Sequence, residues 1–384
     1  MTERKSGVYL SIMVTDFLVW SATTGLYPLL SRLADAELGD SEAPNVIARL
    51  VLVYTLSAMV GRAIMGRSLR RPREIARMAT VLVMFSYAGL FHSQPVWWML
   101  ARSVQGFAMG CYAISVMMLM SLVIPPHRRM RGFALVGMAD FLGFSFGPVL
   151  SGLSVAKLGF SATLWLFVGL MVCAVISASK LPSHELNAEI NREEGKQYPW
   201  RFLPLAMALC VGFLFHIYYG NYLPISVATH SFPVETLFFA GYMVGGIGYR
   251  LGFVGLMERL RGYHSFALTL LLMGLTSISV SLWPENHVLL DPIVFVTGLI
   301  YGLGLEALYI FSLSWVSQHA DLKERAKAFV VVFSGIDVAA VFAGLSYGAA
   351  VSAWGIPGLL RTLLISNLLL LILPFMLART FKES

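Results

Sequence analysis

The sequence predicts an all-α integral membrane protein whose twelve transmembrane helices form two six-helix bundles related by pseudo-symmetry. Three observations support this fold class: a strongly apolar composition, apolar segments of about 20 residues from end to end, and connections that alternate between basic and acidic. The chain of 384 residues is 57% hydrophobic and only 13% charged, with a mean hydropathy of +0.73. This composition excludes an ordinary soluble domain.

Each apolar segment is long enough to cross a bilayer, and backbone groups in hydrocarbon must pair internally, so each is predicted to be a helix. The twelve segments cover residues 8–30, 47–66, 75–92, 96–123, 133–157, 160–180, 202–227, 234–257, 263–283, 292–317, 327–352 and 356–378. The first is too long, and is followed by too many others, to be a cleaved signal peptide.

Charges in the connections predict the orientation. Lys and Arg are concentrated in alternate connections, at residues 1–6, 67–77, 128–131, 259–261 and 323–327, whereas 32–45 is acidic. By the positive-inside rule, both termini of this multi-pass protein are cytoplasmic, and we expect it in the inner or plasma membrane of the cell. The net charge of +7 comes from these loops and does not indicate nucleic-acid binding.

A long polar connection, residues 182–201, divides the chain into an N-terminal bundle (1–181) and a C-terminal bundle (202–384). We expect it to be a cytoplasmic linker, with no catalytic role.

The two halves repeat each other at an offset near 196 residues. At this offset, residues of the first half align with residues of the second. The aligned pairs are Gly106 with Gly302, Trp20 with His216, Asp140 with Asp337 and, more loosely, Arg62 with Arg250. Parallel repeats of this kind are typical of transporters with alternating access.

Two motifs lie in the fourth and fifth segments. The first is Arg102-x-x-Gln105-Gly106, and the second is Gly143-x-x-x-Gly147-Pro148-x-x-Ser151-Gly152. They resemble the fourth-helix motif and the fifth-helix antiporter motif of the major facilitator superfamily, with Ser151 replacing a glycine. The resemblance implies export by proton exchange. It also implies that Gly143, Gly147, Pro148 and Gly152 take part in gating. The glycines allow a neighbouring helix backbone to approach closely, and the proline weakens the helix.

The loop after the second segment is where the family has a charged gating motif. Met65 stands at its aspartate position, but a basic cluster that includes Arg70 and Arg71 is present. We predict that this cluster contributes to gating; the alternative is that it sets orientation and contacts lipid headgroups.

Four acids lie inside predicted spans, where a charge is costly unless it has a partner or faces water. They are Asp16, which lies about 12 Å deep at 1.5 Å per residue, Asp140, Glu306 and Asp337. A carboxyl group in a low-dielectric cavity can hold a proton on one side of the membrane and release it on the other. We therefore expect these acids, together with Arg102, to couple transport to protons. For Asp140, a structural pair with a nearby arginine is an equal alternative.

Polar and aromatic residues in the same spans are the predicted substrate contacts. Arg102 and Arg250 cannot lose their protons, so each needs an anion or carbonyl partner, and Arg250 could meet a substrate carboxylate. His216 could relay a proton, or it could be a core histidine bonded to a neighbouring helix. The predicted contacts are Trp20, Tyr27, His216, Tyr219, Asn221, Arg250 and Glu306.

These observations predict a proton-coupled secondary transporter that exports a small organic solute by alternating access. The favoured substrate is a polar or carboxylate-bearing metabolite, such as a siderophore or metallophore. One alternative is multidrug efflux of lipophilic cations, and another is a non-transporting receptor or scaffold. No nucleotide-binding loop, metal-ligand cluster or nucleophile–base pair occurs, and the three cysteines lack metal or redox spacing. We expect no enzymatic activity, no cofactor and no metal; the predicted partners of this monomer are solute, protons and lipid.

Overall fold

The computed structural model describes residues 2–39, 42–67, 71–124, 129–181, 199–226, 234–259, 287–321 and 324–346, together with isolated positions between 264 and 276. These residues contain helices and no strand. In chain order the helices are α1 (Thr2–Leu38), α2 (Ala43–Arg67), α3 (Pro72–Ser86), α4 (Pro95–Val123), α5 (Arg129–Val136), α6 (Met138–Leu158), α7 (Phe160–Ala178), α8 (Leu203–Ser226), α9 (Val234–Gly248), α10 (Val254–Arg259), α11 (His287–His319) and α12 (Arg325–Ser346).

Local sequence explains several boundaries. Prolines at the starts of α3 and α4 occupy positions where a backbone donor is not needed. Gly159, between α6 and α7, has a φ of +80°, a conformation that favours glycine. The fifth predicted span breaks at Gly137, between α5 and α6, while α6 continues through Pro148. A π-helical turn, Tyr249–Phe253, joins α9 to α10.

Nine segments within the described residues are long and apolar enough to cross a membrane. They match nine of the twelve predicted spans closely, which confirms an all-α membrane protein. Helix α1 covers the predicted span 8–30 but is not among the nine, since it also carries Asp16 and several threonines. The predicted span 356–378, most of 263–283 and nearly all of the linker lie outside the described residues.

The sequence repeat appears in the helix packing. In the first half, the Cα of Gly106 on α4 lies against the backbone carbonyl of Tyr54 on α2. In the second half, Gly302 on α11 lies in the same way against the carbonyl of Tyr242 on α9. A side chain at either glycine would collide with that carbonyl, so these glycines allow the close approach of two helix backbones. The structure thus has the pseudo-symmetry that the sequence predicts.

Helix α6 packs closely on α1 through the glycines of the second motif. A Cβ atom at Gly143 would meet the carbonyl oxygen of Phe17, and one at Gly147 would meet that of Ser21. The hydroxyl group of Thr24 also donates a hydrogen bond to the carbonyl of Gly143, at 3.3 Å. The predicted gating glycines therefore form a tight contact beside the cavity described below.

Replacing Gly147 by valine is expected to abolish transport while leaving membrane insertion near normal. The new side chain would meet the Ser21 carbonyl, the Thr24 hydroxyl and the Gly25 amide, all on α1, so α1 and α6 would have to separate. Transport in proteoliposomes and the yield of folded protein would be measured. Gly169 is the matched control, because nothing lies within 4 Å of a Cβ at that site. If Gly147→Val transports as well as Gly169→Val, close packing at this position is not needed.

Candidate functional site

A cavity lies between the two halves and collects the charged residues of the membrane spans. Its empty volume, including the open space at its mouth, is about 1060 Å³. The predicted site residues on its wall come from both halves: Asp16, Trp20, Tyr27, Arg102, Asp140, His216, Arg250, Glu306 and Asp337. Arg62, which the sequence repeat relates to Arg250, lies on the same wall. All four intramembrane acids of the sequence analysis thus face one space.

Arg250, in the π-helical turn, is bound mainly by acids. Its Nε and Nη2 atoms donate hydrogen bonds to Oε2 of Glu306 at 2.9 and 2.5 Å, and Nη1 donates to the backbone carbonyl of Ala134 at 2.9 Å. The hydroxyl of Tyr242 donates to the other oxygen of Glu306 at 3.2 Å. Since each of its three guanidinium nitrogens already donates to an acceptor, Arg250 is a poorer candidate for binding a substrate carboxylate than the sequence suggests.

Asp140 extends this cluster into the first half. One of its oxygens lies 3.7 Å from Nη2 of Arg250 and accepts a hydrogen bond from the backbone N–H of Phe141 at 2.6 Å. The hydroxyl of Tyr309 lies 3.5 Å from the other oxygen. Arg250 is therefore shared between an acid of its own half and an acid of the other half.

Arg62 and Asp337 form a second ion pair between the halves. Both side chains are nearly buried, and Nη1 of Arg62 donates to Oδ1 of Asp337. The sequence repeat relates Arg62 to Arg250 and Asp337 to Asp140. The two ion pairs between the halves are thus related by pseudo-symmetry. Arg62–Asp337 joins α2 to α12, and Arg250–Asp140 joins the turn after α9 to α6.

Arg102 differs from Arg62 and Arg250 in having no acid partner among the described residues. Its guanidinium group lies over the ring of Tyr54, with 4.1 Å between Cζ and the ring centroid, and 5.5 Å from that of Tyr27. Nη1 donates to the side-chain carbonyl of Gln105, whereas Nε and the Gln105 amide nitrogen have no hydrogen-bond partner in the described part of the chain. No described carboxylate lies within ion-pair distance of this residue, which is 2% exposed. A buried cation held only by aromatic rings and an amide is suited to receive an anion.

Asp16 has the opposite character, because it is a buried acid that forms no ion pair with an arginine in the described ranges. Tyr112 donates a hydrogen bond to its Oδ1 atom at 2.9 Å, while Oδ2 has no partner among the described residues. The acid lies on α1, near the contact with α6.

His216 on α8 is fully buried, and neither ring nitrogen has a hydrogen-bond partner in the described ranges. The interpretation of a core histidine bonded to a neighbouring helix therefore gains no support. Aromatic rings surround it instead: the ring centroids of Phe144, Phe239 and Tyr242 lie 4.3, 5.2 and 5.5 Å away.

The remaining predicted site residues lie elsewhere. Gly143, Gly147, Pro148 and Gly152 are buried in α6, and Arg71 is exposed at the start of α3. Arg70 lies outside the described residues, as do the side chains of Tyr219 and Asn221.

Four tyrosines that the sequence analysis did not select hold the buried charges: Tyr54, Tyr112, Tyr242 and Tyr309. A signal for two of them was present. Tyr54 precedes Arg62 by eight residues and Tyr242 precedes Arg250 by the same spacing, which puts each tyrosine and arginine on one helix face.

Comparison with known proteins identifies the family of the chain. A sequence profile described as "Major Facilitator Superfamily" matches residues 10–290. No curated protein matches at a significant level.

Solved transporters share the fold over nearly the whole chain. The human organic anion transporter MFSD10 (TETRAN) aligns with a TM-score of 0.73 at 15% identity, covering 96% of this chain and 99% of its own. A bacterial homologue of the iron transporter ferroportin, in an outward-facing state, aligns with a TM-score of 0.70 at 13% identity, covering 97% and 99%. The nucleoside transporter NupG aligns with a TM-score of 0.68 at 12% identity, covering 98% and 100%. The profile match, the helical fold and the charged central cavity agree: the chain belongs to the major facilitator superfamily of membrane transporters.

Proposed function

We propose that the protein exports a carboxylate-bearing organic solute, such as a siderophore-like metabolite, in exchange for protons by alternating access. Its location would be the inner or plasma membrane, with both termini in the cytoplasm. The observation that carries the substrate class is Arg102, a buried cation on the cavity wall without an acid partner among the described residues.

An uncompensated charge in a membrane protein is expensive, and an arginine cannot neutralise itself by losing a proton. A solute carboxylate would supply the missing charge through two parallel hydrogen bonds, while the ring of Tyr54 holds the guanidinium plane in place. One solved structure with the same fold is described as an organic anion transporter, so the fold accommodates solutes of this class.

Proton coupling would use the acids around Arg250. When Glu306 takes a proton, it loses its charge attraction for Arg250, and Asp140 of the other half becomes the only charged partner of that arginine within 4 Å among the described residues. Protonation at Glu306 would therefore strengthen a contact between the halves. Export, rather than import, rests on the resemblance of residues 143–152 to the antiporter motif.

Multidrug efflux is the second candidate, because one observation favours it. Asp16 has no arginine partner in the described ranges and shares the cavity wall with aromatic rings, and such a site would suit a lipophilic cation.

Replacing Arg102 by lysine is expected to weaken binding of organic acids by roughly 30-fold to several thousand-fold, equivalent to about 2–5 kcal/mol. Lysine keeps the charge but can neither form the two parallel hydrogen bonds nor lie flat over Tyr54. Uptake of labelled benzoate, citrate and a hydroxamate siderophore into inverted proteoliposomes with an imposed pH gradient would be measured, with ethidium as the cationic probe.

Arg201→Lys is the matched control, because Arg201 is exposed and pairs with Glu324 away from the cavity. The carboxylate proposal would be rejected in favour of multidrug efflux by two results together. The wild type would transport ethidium but none of the acids, and Arg102→Lys would leave proton-driven ethidium transport intact.

A further inference from the structure

Aromatic rings form a continuous surface around His216 on the cavity wall. Phe144 on α6 contacts both Trp20 of α1 and His216 of α8. Its ring centroid lies 5.1 Å from that of Trp20 and 4.3 Å from that of His216. The ring centroid of Tyr242 on α9 lies 5.5 Å from that of the imidazole. All four side chains line the cavity, and we name this surface the aromatic wall.

The imidazole is the polar point of the aromatic wall. It is fully buried, and both of its nitrogens lack a hydrogen-bond partner in the described part of the chain. Buried polar groups are normally paired, because an unpaired donor or acceptor is destabilising. A neutral imidazole offers one donor and one acceptor. A hydroxyl group, which can both donate and accept, satisfies either nitrogen whichever carries the proton.

The aromatic wall favours ligands that contain a planar ring. Phenylalanine, tyrosine and tryptophan faces favour stacked or edge-to-face contact with another π-system, and such pairs exceed the contribution of buried area alone. An aliphatic ligand would gain only the burial of its surface.

We propose that the aromatic wall binds a planar ring of the transported carboxylate and that His216 forms a hydrogen bond with a hydroxyl group on that ring. This assignment rests on the proposed function, since it places the carboxylate at Arg102. The preferred substrates are then hydroxylated aromatic acids rather than aliphatic ones.

The test compares matched acids on the purified full-length protein in nanodiscs. Binding of 4-hydroxybenzoate, benzoate and cyclohexanecarboxylate is measured by calorimetry, and the pair 4-hydroxycinnamate and cinnamate repeats the comparison at greater length. We expect each hydroxylated acid to bind about 3- to 10-fold more tightly than its deoxy partner and cyclohexanecarboxylate to bind more weakly than benzoate. His216→Phe should abolish the advantage of the hydroxyl group, so that 4-hydroxybenzoate and benzoate bind with equal affinity.

Two further variants separate hydrogen bonding from folding. His216→Gln keeps a donor and an acceptor and should retain part of the preference for the hydroxyl group. His92→Phe is the control, since His92 is exposed and stacks on Trp97 outside the cavity; it should bind all five acids as the wild type does.

The outcomes distinguish the two proposals. If benzoate and 4-hydroxybenzoate bind equally, or if His216→Phe preserves their ratio, the role of His216 is wrong, while an Arg102 dependence would leave the carboxylate proposal standing. If aliphatic acids bind in an Arg102-dependent way and aromatic acids do not bind, the aromatic-wall assignment alone is overturned. If no acid of either kind is bound or transported, both proposals fail.

Discussion

Replacing Glu306 by glutamine is expected to abolish proton-driven accumulation of solute while leaving downhill exchange intact. Glutamine resembles the protonated acid in shape but cannot release a proton. The protein should still fold, because Arg250 retains Asp140 at 3.7 Å and the Ala134 carbonyl as partners. A pH gradient of one unit is worth about 1.4 kcal/mol per proton, or a tenfold solute gradient. In the variant, the ratio of solute concentrations across the membrane, measured in proteoliposomes, should fall to about one.

The control is Glu324→Gln, which makes the same chemical change in a pair with Arg201 that is open to solvent. It should accumulate solute as the wild type does. Uphill transport retained in Glu306→Gln would show that the coupling proton is carried elsewhere, and Asp16→Asn would then be the next variant to examine.

Removing one partner of the pair between Arg62 and Asp337 is expected to give the largest loss of stability among the proposed changes. Asp337→Ala would leave Arg62 almost fully buried and uncompensated, which typically costs about 3–5 kcal/mol. Thermal unfolding of the detergent-solubilised protein would show a lowered midpoint. The double variant Arg62→Met with Asp337→Leu should recover most of that stability, since apolar residues can replace a buried pair without loss.

Recovery of stability should not bring recovery of transport. The pair joins the two halves, so alternating access requires it to form and break, and an apolar contact lacks that specificity. Glu74→Ala is the reference, because Glu74 and Arg77 form a pair within one helix that is largely open to solvent; such pairs contribute about 0–1 kcal/mol. A double variant with full transport would show that the Arg62–Asp337 pair is only structural.

Within the described residues, local sequence properties were sufficient to locate the membrane spans and to select the acids that lie on the cavity wall. Span boundaries depend on apolar length and on basic termini, both of which are local properties; α4 begins one residue before the predicted segment and ends with it. The acids and arginines could be assigned to a common cavity because lipid exposure of any of them would be prohibitive.

The sequence allowed an arginine partner for Asp140 but could not identify which charges would pair. Arg250 and Glu306 are 56 positions apart, and their contact depends on the rotation of α11 relative to α9. The π-helical turn at Arg250 and the break at Gly137 have no marker as strong as proline. The expectation that Arg250 would bind the substrate assumed that its donors were free.

The two glycine–tyrosine contacts suggest how the halves came to differ. In the first half Arg102 lies four residues before Gly106, and in the second half Glu306 lies four residues after Gly302. In both halves the tyrosine opposite the glycine contributes its carbonyl to the packing and its ring or hydroxyl to the charge. A common scaffold thus carries a cation on one side and an acid on the other. Under the proposed function, one glycine–tyrosine contact thus supports the arginine that would bind the solute carboxylate, and its repeat supports an acid that would carry the coupling proton.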